Sequence, residues 1–154
     1  MRILTVAICF IAICFATGCK PKPLIAKKIE IGGTWSYANE LSFPLEIDRL
    51  DDTYDLMLSL TYGTDFSYQN IYVKIITEYP NGKKDEDILS LNLTNGQGLF
   101  LGDCGSTKCK IDLLLQERFK FSEAGKYSIT IIQNGREEQL DNIYAAELKL
   151  YNLQ

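Results

Sequence analysis

From residue 41 onward, apolar side chains recur at alternate positions in short runs broken by Gly, Pro, Asn and Asp. A period of two is the mark of a strand with one buried face. The run 54–62 sets Tyr54, Leu56, Leu58, Leu60 and Tyr62 on one face. The run 71–79 sets Ile71, Val73, Ile75, Thr77 and Tyr79 on one face and Tyr72 and Ile76 on the other. The same pattern predicts strands at 41–47, 87–93, 111–116, 127–133 and 143–153, in a domain that starts at Ile29. Pro44 marks its strand as an edge or a bulge, because it cannot donate to a ladder. Pro80-Asn81-Gly82, Asn95-Gly96 and Asn134-Gly135 are turn signals. No stretch keeps a 3.6-residue period, and 118–124 is at most a short turn. About eight strands at this spacing predict an all-β chain, an antiparallel β-sandwich of Ig-like or jelly-roll-like form. Glu123-Ala124-Gly125-Lys126-Tyr127 has the spacing of a tyrosine corner, which favours Ig-like connectivity. A plain turn into a Tyr-bearing strand is the other reading.

The start of the chain has a different pattern. Arg2 precedes fourteen uncharged residues, Ile3 to Ala16, followed by Thr17, Gly18 and Cys19. The run is too short to cross a bilayer, which takes about twenty residues, and has signal-peptide length. Its end resembles a bacterial lipobox, in which the Cys is acylated and the leader is cut just before it. The alternative is an ordinary secretory signal with an incidental Cys. The division expected is a lipoprotein signal peptide at 1–18, lipidated Cys19 and an extended tether at 19–28, and one β domain at 29–154. Pro21 and Pro23 oppose helix in the tether. Its lysines, Lys20, Lys22, Lys27 and Lys28, read as a solvated spacer able to touch headgroups. Lys20, where an Asp would hold a lipoprotein at the inner membrane, favours the outer membrane.

Composition narrows the function. Lys+Arg 16 against Asp+Glu 20 gives a net charge of -4, and losing Arg2 with the leader makes it -5. Nucleic acid is not expected as a partner, since binders carry a basic excess. There is no His. That removes the commonest general base, the commonest metal ligand and every Ser-His or Cys-His arrangement. Of five Cys, Cys9 and Cys14 belong to the leader and Cys19 to the lipid site. Cys104 and Cys109 remain, four small or polar residues apart, in a compartment that favours disulfides. A bond between them would close a six-residue loop worth about 2 kcal/mol. Free thiols are the alternative; zinc lacks further ligands and a redox pair lacks the Cys-x-x-Cys spacing. Asp48, Asp51, Asp52 and Asp55 crowd one turn without the spacing of a calcium loop, and read as solvated. Lys83 to Asp87 reads as a solvated hairpin of mixed charge. A hydrolase would need two carboxylates in one cleft, and no spacing marks such a pair. No catalytic, metal or cofactor site is expected. Trp35 and the strand tyrosines read first as packing, and a glycan platform is their alternative use.

Several stretches together resemble one family. They are Gly33-Thr34-Trp35, the strand Phe43 to Ile47, and Asn70 to Lys83 with its Tyr-Pro-Asn-Gly-Lys run. Asp87 to Leu91, Gly98 to Gly102 and Phe121 to Tyr127 leading to Ile131, Ile132 and Gln133 complete them. In this order, behind a lipobox, they resemble the gliding motility lipoprotein GldH family of the Bacteroidetes. The resemblance implies a lipoprotein of the outer envelope in machinery linked to gliding and type IX secretion. Its partners would be the bilayer, through acylated Cys19, and other envelope proteins of that machinery. It implies no enzymatic activity and no catalytic residues. The Cys104 to Cys109 loop departs from the family's usual pattern.

Overall fold

The computed structural model describes residues 22–153. The leader at 1–18, Cys19 and the first tether residues lie outside the described residues. Those described contain strands and turns and no helix. The strands are β1 (Ile25–Ser36), β2 (Leu41–Ile47), β3 (Tyr54–Gly63), β4 (Asn70–Glu78) and β5 (Lys84–Asn92). After them come β6 (Asp103–Cys104), β7 (Lys108–Phe119), β8 (Gly125–Gln133) and β9 (Gln139–Asn152). They form two antiparallel sheets, ordered β1-β9-β3-β7-β6 and β2-β8-β4-β5. The seven expected strands are all present, and Pro44 lies on an edge strand.

Strands β1 to β4 alternate between the sheets. An immunoglobulin sandwich instead keeps its first two strands in one sheet. The order is that of a jelly roll, with the two-residue β6 added at one edge. The tyrosine corner is nonetheless there. The Tyr127 hydroxyl donates to the Glu123 carbonyl at 2.8 Å, and Gly125 takes φ 136. The corner ties one crossing between sheets and does not dictate how the others run.

One boundary moves. Ile25 to Lys28, expected in the tether, are the first rungs of β1 and pair with Leu150 to Glu147. The consecutive Ala26, Lys27 and Lys28 hide the alternation. The ladder to β9 and the packing of Ile25, Ile29 and Ile31 on the core override the weak local signal. Gly32 and Gly33 lie inside β1. Their φ values of 85 and 110 make a bulge between the Glu30 and Thr34 rungs.

The core lies between the sheets. Phe43, Val73 and Ile131 face Leu58, Leu60 and Leu148, all buried. Each end is closed by aromatics. Tyr54, Phe119, Phe121 and Tyr127 stack at one end, with neighbouring centroids 4.8–6.2 Å apart. At the other end Tyr62 meets Phe66 and Phe100, and its hydroxyl donates to the Leu101 carbonyl at 2.7 Å. The first end carries the start of β1 and the end of β9, and is called proximal below. The distal end carries the β1–β2, β3–β4 and β8–β9 crossings.

The outer face of the β9-containing sheet is charged. Lys149 bridges Asp112 (3.1 Å) and Glu147 (3.8 Å), and Lys110 meets Glu147 at 3.1 Å. Ser59 donates its hydroxyl to Asp112. Burial pushes the Asp112 carboxyl up, but hydrogen bonds from Ser59 and Lys149 to its ionised form outweigh it and hold the group below the usual range. A carboxylate lowered by folding stabilises the native state above its unfolded value, near ~3.9, and loses that contribution as pH falls. Asp112→Asn should therefore be less stable than wild type at pH 7. The gap should narrow as pH drops below about 4, read as urea midpoints at each pH.

Candidate functional site

A cleft of about 400 Å³ opens at the distal end. Tyr68 comes from the β3–β4 crossing, Asn70, Ile71 and Tyr72 from the start of β4, Gly135, Arg136 and Glu137 from the β8–β9 crossing, and Leu140 from the start of β9. The backbone of that last loop is held from several sides. Gln133, a buried polar residue at the end of β8, donates its amide to the carbonyls of Glu137 (3.0 Å) and Glu138 (2.9 Å). Its carbonyl accepts the Gly135 N–H at 2.9 Å. The Tyr37 hydroxyl donates to the Gly135 carbonyl at 2.7 Å, and the Asn134 N–H to the Tyr72 carbonyl at 2.8 Å. A wall fixed this way loses little entropy on binding. Arg136 and Glu137 are exposed, and neither side chain has an ion pair among the described residues.

Tyr72 belongs to two surfaces. It lines the cleft, and it stands on the outer face of the β4-containing sheet, 48% exposed. On that face Lys74 lies opposite Ile88 of β5 and Ile132 of β8, and Ile76 follows two positions on. Diagonal neighbours on one face are close enough for long side chains to touch. Ile88 is 60% exposed. Apolar side chains thus run in a strip from the middle of this sheet to the cleft mouth, interrupted by Lys74 and its ion-pair partner Glu86 opposite Ile76 (3.9 Å). The sequence separates Tyr72 and Ile76 from the buried set by parity alone, and parity does not tell which face meets solvent.

The other expected features are placed as follows. Cys104 and Cys109 are partners in the β6–β7 ladder, with Cα atoms 4.0 Å apart and sulfurs joined. They sit at the distal end, where Lys108 stacks on the Tyr144 ring at 3.8 Å. Trp35 is fully buried, and its indole donates to the Asn39 carbonyl at 2.9 Å. Asp48, Asp51 and Asp52 of the β2–β3 turn and Asp55 at the start of β3 do not form a metal-holding group. Asp52 takes Arg49 (3.2 Å) and the Asn152 amide (2.6 Å), while Asp55 accepts the Arg118 N–H at 2.7 Å. No group of three or more Cys, Asp or Glu among the described residues is placed to hold a metal ion. Asp85 and Asp87 line a second cleft of about 310 Å³ between the edge strand β5 and the end of β7 beyond its pairing with β6, with Lys120 and Gln116. Hydrogen bonds from the Tyr79 hydroxyl and from Lys83 hold Asp85 below its ordinary value. That suits a carboxylate kept ionised, not a proton donor. Charges pointing inward on an edge strand also discourage another strand from pairing there.

Residues 25–150 match the model of the GldH lipoprotein family. The chain is 31% identical over 105 residues to a gliding motility lipoprotein GldH homolog of Christiangramia forsetii, covering 66% of this chain and 65% of that one. It is 27% identical over 137 residues to the gliding motility lipoprotein GldH of Flavobacterium johnsoniae, covering 89% of this chain and 85% of that one. Among solved structures, TmCBM61 in complex with beta-1,4-galactotriose is similar at a TM-score of 0.38 and 12% identity, over 82% of this chain and 70% of that one.

Proposed function

The chain belongs to the GldH lipoprotein family, and from that premise we propose that it is a non-enzymatic, lipid-anchored component of the cell envelope. In this reading Cys19 carries the lipid and the domain works by protein–protein contact within machinery of gliding motility. The observation that carries the contact is the outward-facing set of exposed Tyr72 and Ile88 with half-buried Ile76 and Ile132, leading into the fixed distal cleft. The reading has two supports: the names its relatives bear and the lipobox-like end of the leader. Lys20 after the acylated residue favours the outer membrane.

Mild detergent extraction followed by pull-down tests it. The wild-type chain should bring down a partner, and Tyr72→Ala combined with Ile88→Ser should lose it while remaining folded, since both side chains face solvent. A wild-type chain that comes down alone would count against contact as the function. Metabolic palmitate label should disappear in Cys19→Ala; label that persisted would refute the anchor. We further propose that Cys104 and Cys109 are oxidised in the native chain. Alkylation of the mature protein under denaturing conditions should then add two more tags after reduction than before it.

A second reading rests on the cleft alone. Tyr68 and Tyr72 beside Arg136, Glu137 and Asn70 combine aromatic faces with polar groups, which suits a saccharide as well as a peptide. A glycan array probed with the detergent-solubilised chain decides between them. Binding abolished by Tyr72→Ala would favour the saccharide, and a blank array would remove it.

A further inference from the structure

The early start of β1 shortens the tether. The Leu24 N–H already donates to the Leu150 carbonyl at 2.7 Å, so the domain begins there. If Cys19 carries the lipid, as proposed above, five residue steps separate it from the folded domain. Fully extended, they reach about 17 Å at 3.3–3.6 Å per residue. The polar layer of a bilayer leaflet accounts for roughly 5–7 Å of that distance. The tether therefore keeps the proximal end of the sandwich within about 10–12 Å of the membrane surface, close enough to touch it.

That end presents three exposed leucines: Leu24 (57%), Leu50 (39%) and Leu153 (42%). They come from three separate places in the chain, and the backbone fixes each of them. Leu24 is tied to Leu150 by its ladder bond. The Leu153 N–H donates to the Thr53 carbonyl at 2.9 Å. Leu50 rides on a turn pinned by the Tyr54 hydroxyl, which donates to the Arg49 carbonyl at 3.0 Å, and by the Arg49–Asp52 pair. Sheet order sets β9 between β1 and β3, so the end of β9 lies between Leu24 and the start of β3.

We propose that Leu24, Leu50 and Leu153 seat in the interfacial layer of the bilayer that holds the acyl chains, as a second contact beside the lipid. The contact is apolar. Asp48 and Asp51 lie on the same turn without ion pairs among the described residues, and they offset the attraction of Lys22 and Arg49 for anionic headgroups. Stable anchoring generally takes more than one membrane signal, and apolar side chains beside acyl chains supply a further one. Seating this end turns the distal cleft and the mouth of the Tyr72 strip away from the membrane, toward a partner.

The test uses the lipidated full-length chain in phosphatidylcholine vesicles whose acyl chains carry bromine, a contact quencher of tryptophan. Trp35 is buried at the distal end and serves as a silent reference. Leu50→Trp and Leu153→Trp report on the proximal end, and Leu99→Trp, exposed on the β5–β6 loop, on the distal end. The first two should lose about half of their added emission or more, at low and at high salt, while Leu99→Trp keeps its own. Protein that floats with the vesicles but shows no more quenching at 50 and 153 than at 99 overturns the docking and leaves the anchor standing. Quenching that vanishes in high salt also overturns it, since the contact would then be electrostatic. Protein that does not float overturns the anchor, and the docking with it.

Discussion

Replacing Trp35 by Ala should lower the free energy of unfolding by about 3–5 kcal/mol, the usual range for deleting a buried aromatic. Trp35 is fully buried in β1, opposite Leu140 of β9, two residues past the Gly33 rung of the bulge. Its indole N–H holds the Asn39 carbonyl at 2.9 Å, which fixes the chain as it leaves one sheet for the other. The substitution therefore opens a cavity and also frees the β1–β2 crossing. Domains of this size have about 5–15 kcal/mol of stability in total. The urea midpoint should fall steeply with little change in slope. Trp35→Phe keeps most of the volume and loses the hydrogen bond and part of one ring, so it should cost clearly less. Equal losses from the two variants would mean that packing around Trp35 is not what stabilises this corner.

Gly102→Ala should be nearly as damaging, although it adds a single methyl group. Gly102 takes φ 90, where a side chain is strained. A Cβ there would stand 2.3 Å from the Lys110 carbonyl oxygen and 2.9 Å from the Ile111 Cα. Backbone cannot rotate away as a side chain can, so the segment must lift off β7. Leu101 would move with it, and Leu101 accepts the buried Tyr62 hydroxyl. Strain and overpacking together should cost about 2–5 kcal/mol. Gly96→Ala, in the same β5–β6 loop with nothing within 4 Å, is the control and should be close to neutral. Thermal unfolding of the pair separates a conformational requirement from a general intolerance of the loop. A Gly102 variant as stable as the Gly96 variant would contradict the packing described.

Much of the fold was legible because the strands are half-buried and alternate cleanly. Strand β2 reads inside-outside at every one of its positions, and its expected bounds match the structure. β3 and β8 are nearly as plain. Long-range pairing made the rest invisible. β1 is strand through Lys27 and Lys28 because β9 supplies the ladder, and β6 is two residues held only by β7. The tyrosine corner gave the right hydrogen bond but favoured the wrong connectivity, since a five-residue motif describes one crossing and the jelly roll is defined by all of them. The candidate surface was half legible. Tyr72 and Ile76 separate from the buried set by parity, but only the pairing of β4 with β5 and β8 brings Ile88 and Ile132 beside them. The cleft was not legible at all. Its walls come from loops some sixty residues apart, and Gln133, which fixes one of them, reads in the sequence as an ordinary strand end.

In the function proposed above, an anchored domain meets a protein partner through the strip that ends in Tyr72. Photo-crosslinking in the native envelope addresses it most directly. A benzophenone amino acid at position 72 should give one dominant heavier species on irradiation. The same probe at Leu114, equally exposed on the outer face of the opposite sheet, should give little. A lack of adducts at 72, or the same adducts from both positions, would contradict the claim.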